Sequence, residues 1–295
     1  MIDVSGKGYA AGRTSGNTTV GASTQFSGGS YGGLGAGSAN AVYGDYAGPQ
    51  DWGSGGGNAP GGGRVRLVAT TLQLEGQLLA NGSSVYNGVG SGGGVLVVVT
   101  NLAGGGSIQA QGGLSNDSYG AGGGGRVAVY AADYSGFNLA KITAFGGAVY
   151  FSPGGAGTVY LRDTDEAAGT LIIDAGSGGN GGTPLGLQGT NWTSIPDLLV
   201  VRGANTHVML VNTASALTFT MNLSVTAGAQ LITTSAVSLQ APITLSSGGS
   251  LQVAGALTSS VPLLLDGGSL TADIVRCIPR LLVDFSSRGG DHHGS

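Results

Sequence analysis

Residues 61–68 read GGGRVRLV, three glycines set directly against an alternating, strand-like run. The same join recurs as GGGVLVVV at 92–99, GGGRVAVY at 123–130 and GAGTVYLR at 155–162. The last glycines before these runs are Gly63, Gly94, Gly125 and Gly157, giving steps of 31, 31 and 32 along the chain. Each unit holds a second, shorter run: LEGQLLANG (74–82), GGGSIQAQGG (104–113) and AKITAFGG (140–147). Ala80 to Ala110 is a step of 30, and Ala144 follows after a step of 34. The opening IDVSGKG (2–8) has the character of that second run, taken from a preceding unit. Short alternating runs of Val, Leu, Ile and Thr, punctuated by Gly and Asn, read as strands. Apolar positions at helical spacing are nearly absent.

Beyond residue 195 the period shortens. ALTFTMNLSV (216–225) aligns with AVSLQAPITL (236–245) and again with ALTSSVPLLL (256–265), each at a step of 20 along the chain. Each block ends in a turn: TAGAQL (226–231), SSGGSL (246–251) and DGGSL (266–270). A strand has period two, so Leu217, Val237 and Leu257 fall on one face and Thr218, Ser238 and Thr258 on the other. Pro242 and Pro262 precede strands, where a missing N–H is tolerated. A fixed period of this kind, built only of short strands, means units that bury their apolar faces by stacking. The sequence thus predicts an all-β fold, a parallel β-helix (β-solenoid) with glycine-rich long coils of about 31 residues followed by coils of about 20. In that reading glycine marks the corners, where φ is positive and backbones approach closely. The expected divisions are a long-coil part over 1–162 with an irregular aromatic insert at 27–60, a shorter-coil part over 163–274, and an atypical tail or cap at 275–295.

Composition bounds the function. The chain has 295 residues, 61 of them Gly, and 9% are charged. So much glycine would ordinarily mean disorder, but 41% of the residues are hydrophobic and the mean hydropathy is +0.22, enough for a core. The net charge is −4 with only 11 Lys and Arg, scattered along the chain, which argues against a nucleic-acid partner. The single cysteine, Cys277, permits no internal disulfide. No run of about 18 apolar residues is present, so no membrane span is expected. The first residues lack the basic and apolar stretches of a secretory leader. The chain reads as a segment of something longer, with neighbouring repeat segments as its natural partners.

The string IDVSGKGY, GGSYGGLG, VYGD, DWGSGGG, GGGRVRLV, LLANG, GGGGRVAVY and GGAGTVYL resembles the glycine-rich β-helical repeats of very large secreted bacterial adhesin-like proteins. The resemblance covers residues 1–162 well and 163–274 loosely. It implies an extracellular or cell-surface location and a structural or adhesive role, and it carries over no functional residues.

Candidate sites divide by their chemistry. Gly28-Gly29-Ser30-Tyr31-Gly32 matches G-x-S-x-G, but a nucleophile elbow needs a following helix and acid–base partners. GKGYAAG (6–12) is neither a dinucleotide fingerprint nor a P-loop. The aspartate of RTX-type calcium repeats is missing: GGAGTVYL has Thr158-Val159 where the acid would stand, and GGGGRVAV has Arg126-Val127. Calcium therefore remains an option only at Asp163, Asp165 and Glu166, oxygen donors at the junction of the two periods. A polysaccharide lyase or hydrolase needs paired carboxylates, for which Asp117 and Asp133 near Arg126 are the available set. The Thr218, Ser238, Thr258 column beside Thr220, Gln240 and Ser260 invites an ice-binding reading. The aromatics carry most weight. Trp52, Tyr86, Tyr119 and Tyr150 with Phe151 precede successive glycine-led strands, at steps of 33 and 31 for the last three tyrosines. With Tyr31, Tyr43 and Tyr46 of the insert they are the expected glycan-binding set, since a ring face stacks on the apolar face of a sugar. The competing reading is that the rings lid bare glycine corners. No catalytic residue and no cofactor beyond calcium is indicated, and the expected partners are glycans or cell-surface polysaccharide.

Overall fold

The computed structural model describes residues 1–37, 40–116, 119–148, 152–176, 181–185, 194–195, 197–210, 216–277 and 282–284. Among them the chain is all-β: its only helical elements are two three-residue 3-10 turns, Ser15–Asn17 and Leu139–Lys141. No helix there is long and apolar enough to cross a membrane. The strands form sheets of four, three, ten and eight, and every strand pair is parallel except one.

Each unit of the first part places one strand in each of three sheets. Val65, Val95, Val127 and Val159 pair in one column of the ten-stranded sheet. Leu72 pairs with Leu102 in the three-stranded sheet. Ile2, Leu78, Ile108 and Ile142 line up in the four-stranded one, so the opening residues do supply the strand before Gln77–Leu79. These columns converge on one core holding Val65, Leu78, Val95, Leu102, Ile108, Val127, Ile142 and Val159. Parallel strands buried this way need near-continuous apolar faces, which the Val, Leu and Ile runs provide.

The register corrects the glycine column. Arg64 pairs with Gly94, and Gly94 with Arg126, so the residue equivalent to Gly63 is Gly93, not Gly94. Gly94 occupies the position that Arg64 and Arg126 hold in neighbouring strands. The valines set the register, and the last-glycine spacing misled by one residue. The conformational argument also needs correcting: none of Gly63, Gly93, Gly125 and Gly157 has positive φ. They are glycine because backbones pack where a Cβ would sit.

That packing extends through a layer of glycine segments lying outside the strands. Gly122 N donates to Gly113 O, Gly123 N to Gly29 O, Gly124 N to Gly155 O and Gly125 N to Ala110 O. Gly90 N, Ser91 N, Gly92 N and Gly93 N donate in turn to Ser83, Ser54, Gly123 and Ala80. In both segments the fourth donor returns to the chain that met the first, a repeat of three residues. Three residues per turn without internal hydrogen bonds is the screw of polyproline II, here with its amides satisfied by three surrounding segments. Segments of the 27–60 insert, around Gly29 and Ser54, are rows of this layer rather than an irregular loop.

In the later part, Leu171, Leu199, Leu223, Ile243 and Leu263 form a column in the ten-stranded sheet. Leu217, Val237 and Leu257 form one in the eight-stranded sheet, all three buried, while Thr218, Ser238 and Thr258 point away. Pairing continues into the tail: Ser269–Cys277 pairs with Ser250–Ser259, and Leu282–Asp284 with Leu263–Asp266. Residues 278–281 and 285–295 lie outside the described residues.

The exceptional pair is Thr158–Asp163 against Thr170–Asp174, which is antiparallel and sets Val159 opposite Ile172 and Tyr160 opposite Leu171. Val159 and Leu161 belong to the first core; Tyr160, Leu171 and Ile173 belong to the second. Since successive residues of a strand face opposite sides, the ten-stranded sheet changes its buried face at this pair.

Candidate functional site

The exposed aromatics gather where glycine rows turn back. Asn58 Nδ2 donates to Gln25 O at 3.1 Å and to Asn87 Oδ1 at 2.6 Å, and Asn58 N donates to Gly88 O. Val89 N donates to Gly120 O, and the Phe26 carbonyl lies against Gly120. Gly88 and Gly120 have φ of 60° and 74°, which the reversal requires and a side chain would resist. Ser115 Oγ lies 2.8 Å from Tyr86 O and 2.7 Å from Tyr119 O, so its single proton is shared between the two carbonyls, which lie close together. The result is an edge presenting Tyr86 (67% exposed), Phe26 (58%) and Tyr119 (57%) to solvent, with Asn58 and Asn87 between the loops.

The predicted aromatic set divides. Tyr86 and Tyr119 are exposed on that common edge, and Tyr150 lies outside the described residues. Trp52 is exposed but stands at the other end of the Gly53–Gly57 row from Asn58, roughly 19 Å away for an extended three-residue screw. It meets Tyr9 edge-on at 5.4 Å. Tyr31 is fully buried and offers no face to a ligand. Its ring packs 4.8 Å from that of Tyr43, and the Arg126 guanidinium sits 5.5 Å from its centroid. Of the expected row, Tyr86 and Tyr119 share an edge, Trp52 stands apart from them, and Tyr150 lies outside the described residues. Sequence reasoning missed Phe26, Asn58 and Asn87, because each is a lone residue in a loop with no periodic counterpart.

Tyr31, Tyr43 and Tyr46 instead fasten an arm, residues 40–52, over the outer face of the ten-stranded sheet. Arg126 Nε donates to Tyr43 O at 2.9 Å, Tyr130 Oη to Ala47 O at 2.8 Å, and Arg64 to Gln50 O. Tyr46 Oη donates to Asp197 Oδ2 at 2.7 Å. The buried Asp197 carboxylate also accepts from Tyr160 Oη and Gly169 N. Burial raises the phenol pKa values of Tyr31, Tyr43, Tyr46 and Tyr160, with the Asp197 charge adding to the rise at Tyr46 and Tyr160. Burial also lowers the pKa of Arg126, which lies under the arm. The arm is a structural clasp, and Tyr46 and Ala47 pack against the second core.

The remaining candidates are placed as follows. Asp163 ends its strand and its Oδ1 accepts from Asp165 N at 3.0 Å, while Glu166 N donates to Asp163 O. These contacts make a turn, and among the described residues no three His, Cys, Asp or Glu side chains converge as a metal cluster. Asp133 is exposed and accepts from Ser135 N, Arg126 is buried under the arm, and Asp117 lies outside the described residues. Thr258 of the hydroxyl column pairs with Arg276, which ends the array. No family model, curated protein or solved structure matches this chain.

Proposed function

We propose that this chain is a non-enzymatic, extracellular or cell-surface segment, structural and adhesive, whose sheets are the faces of a parallel β-helix. Support for that architecture comes from strands that pair in parallel with their counterparts one unit later, as in Leu217, Val237 and Leu257. It also fits the resemblance to glycine-rich repeats of large secreted bacterial adhesin-like proteins. The adhesive role rests on one observation: Tyr86 and Tyr119 are exposed on adjoining loops, their carbonyls both within reach of the Ser115 hydroxyl, beside a hydrogen-bonded glycine layer. Rings carried on a hydrogen-bonded backbone offer stacking surface at a low ordering cost, since a tyrosine has only two side-chain torsions to fix. The ligand class is glycan, with Asn58 and Asn87 beside the rings to meet hydroxyls.

A glycan array probed with the wild-type chain and with Tyr86→Ala and Tyr119→Ala tests this. Each truncation removes a stacking surface worth about 0.5–1.5 kcal/mol beyond area burial, so glycan affinity should fall several-fold while the melting temperature holds. Unchanged binding together with a lowered melting temperature would show that the rings only lid the loops.

A further inference from the structure

The four-stranded sheet turns Leu78, Ile108 and Ile142 inward, so Gln77, Ser107, Gln109 and Thr143 face out. Two outward rows cross the strands: Gln77 beside Ser107, and Leu79, Gln109 and Thr143 in turn. A ridge carrying Glu75 and Lys141 flanks them on one side, and Gln111 and Phe145 on the other, enclosing an open groove of about 530 Å³. That volume is in the range of ligand sites, roughly 300–1,000 Å³.

The rim carries one charge of each sign, both tied to the Gly105 backbone. Glu75 Oε2 accepts from Gly105 N at 3.1 Å, and Lys141 Nζ donates to Gly105 O at 2.6 Å. The floor is neutral. Gln111 Nε2 donates to Thr143 Oγ1 at 3.1 Å, whereas the side chains of Gln77, Ser107 and Gln109 have no hydrogen-bond partner among the described residues. Each free amide offers two donors and a two-lone-pair acceptor. The half-buried Phe145 adds an apolar wall at the end of the row.

We propose that this groove binds a linear neutral polysaccharide, lying across the strands. Its ligand must give and take hydrogen bonds at intervals near the strand spacing of about 4.8 Å, as an extended sugar polymer does with one residue per strand. A polyanion would need clustered cations, and the groove lining holds one, Lys141, offset by the Glu75 carboxylate. The site lies on a different face from the aromatic edge and stands or falls without it.

The test is calorimetric titration with cellohexaose, xylohexaose and mannohexaose, and with hexagalacturonate as the charged counterpart. At least one neutral hexamer should bind, and more tightly than its dimer. The Gln77→Ala, Gln109→Ala double variant should weaken binding roughly tenfold, the loss of one or two hydrogen bonds. Gln109→Glu provides a second variant should the double one lose its circular dichroism. The Tyr86→Ala, Tyr119→Ala pair should leave groove binding intact, which separates failure here from failure at the edge. Binding to none of the neutral hexamers, preference for hexagalacturonate, or undiminished affinity in a folded groove variant would overturn the proposal.

Discussion

Gly124→Ala is the most direct probe of the glycine layer, because backbone strain cannot explain its effect. Gly124 has no positive φ, so its own conformation would accept alanine. Its neighbours would not: a Cβ there would lie under 3.0 Å from Ala144 O, Gly157 N and Ala144 C. All are backbone atoms, and Gly157 N donates to that same Ala144 O at 2.7 Å, while Gly124 N donates to Gly155 O at 2.9 Å. Fitting the methyl group means overpacking, at about 1–3 kcal/mol. Breaking either bond leaves a buried group unsatisfied at about 1–3 kcal/mol more. The expected loss is therefore about 2–6 kcal/mol, a large share of a typical 5–15 kcal/mol stability. Gly16→Ala is the control. Gly16 has φ of 74° and open space around the added Cβ, so it should lose only the left-handed penalty of about 1–2 kcal/mol. Urea melts of both variants measure the difference, and amide exchange at residue 124 and at Gly157, the donors of the two threatened bonds, should quicken in Gly124→Ala alone. If Gly124→Ala costs no more than Gly16→Ala, the layer is not packed as described.

In the second core, Val237→Asp should abolish cooperative unfolding of the later part, because it buries a charge in the Leu217, Val237, Leu257 column; Ser238→Asp, facing out, should be mild. Equal tolerance at both positions in thermal melts would mean the register is wrong by one residue. A further expectation concerns alkaline pH. The raised phenol pKa values of Tyr31, Tyr43, Tyr46 and Tyr160 mean that the folded chain keeps protons which the unfolded chain releases above its phenol pKa of about 10. This stabilisation is fully present below that pH and is lost as pH rises above it, so tyrosinate absorbance from these four should appear together with loss of β-structure. Ordinary ionisation of all ten tyrosines in a chain that stays folded would show that the arm does not bury its rings.

The strands and the core were legible because period two leaves a mark on every residue it touches. Leu217, Val237 and Leu257 could be assigned to a buried column from their spacing alone, and they occupy it. The glycine layer left no such mark. That Gly123 meets Gly29 and Gly124 meets Gly155 is a matter of backbone pairing between distant rows, and glycine has no side chain to record a partner. The arm was hidden for a related reason. Its contacts, Arg126 to Tyr43 and Tyr46 to Asp197, join positions far apart in the chain and occur once, without a repeat to reveal them. Tyr31 and Tyr46 thus looked like binding residues, when the loop that carries them folds back onto the sheet.

One sign of that covering was present in the runs that first revealed the period. Alternate positions of GGGRVRLV are Arg64 and Arg66, both exposed, as suits a sheet with one face in water. The equivalents of Arg66 in the next three strands are Leu96, Ala128 and Tyr160, so this column turns apolar, while Arg126 on the same face is buried under the arm. In the third strand four consecutive residues, Arg126 to Val129, are buried, and in the fourth Thr158 to Leu161 are. A strand apolar on both faces must be covered on both. Here the arm lies over one side, joined by the second core, and the first core lies behind the other. The antiparallel pairing with Thr170–Asp174 occurs at this strand, whose two faces belong to the two cores.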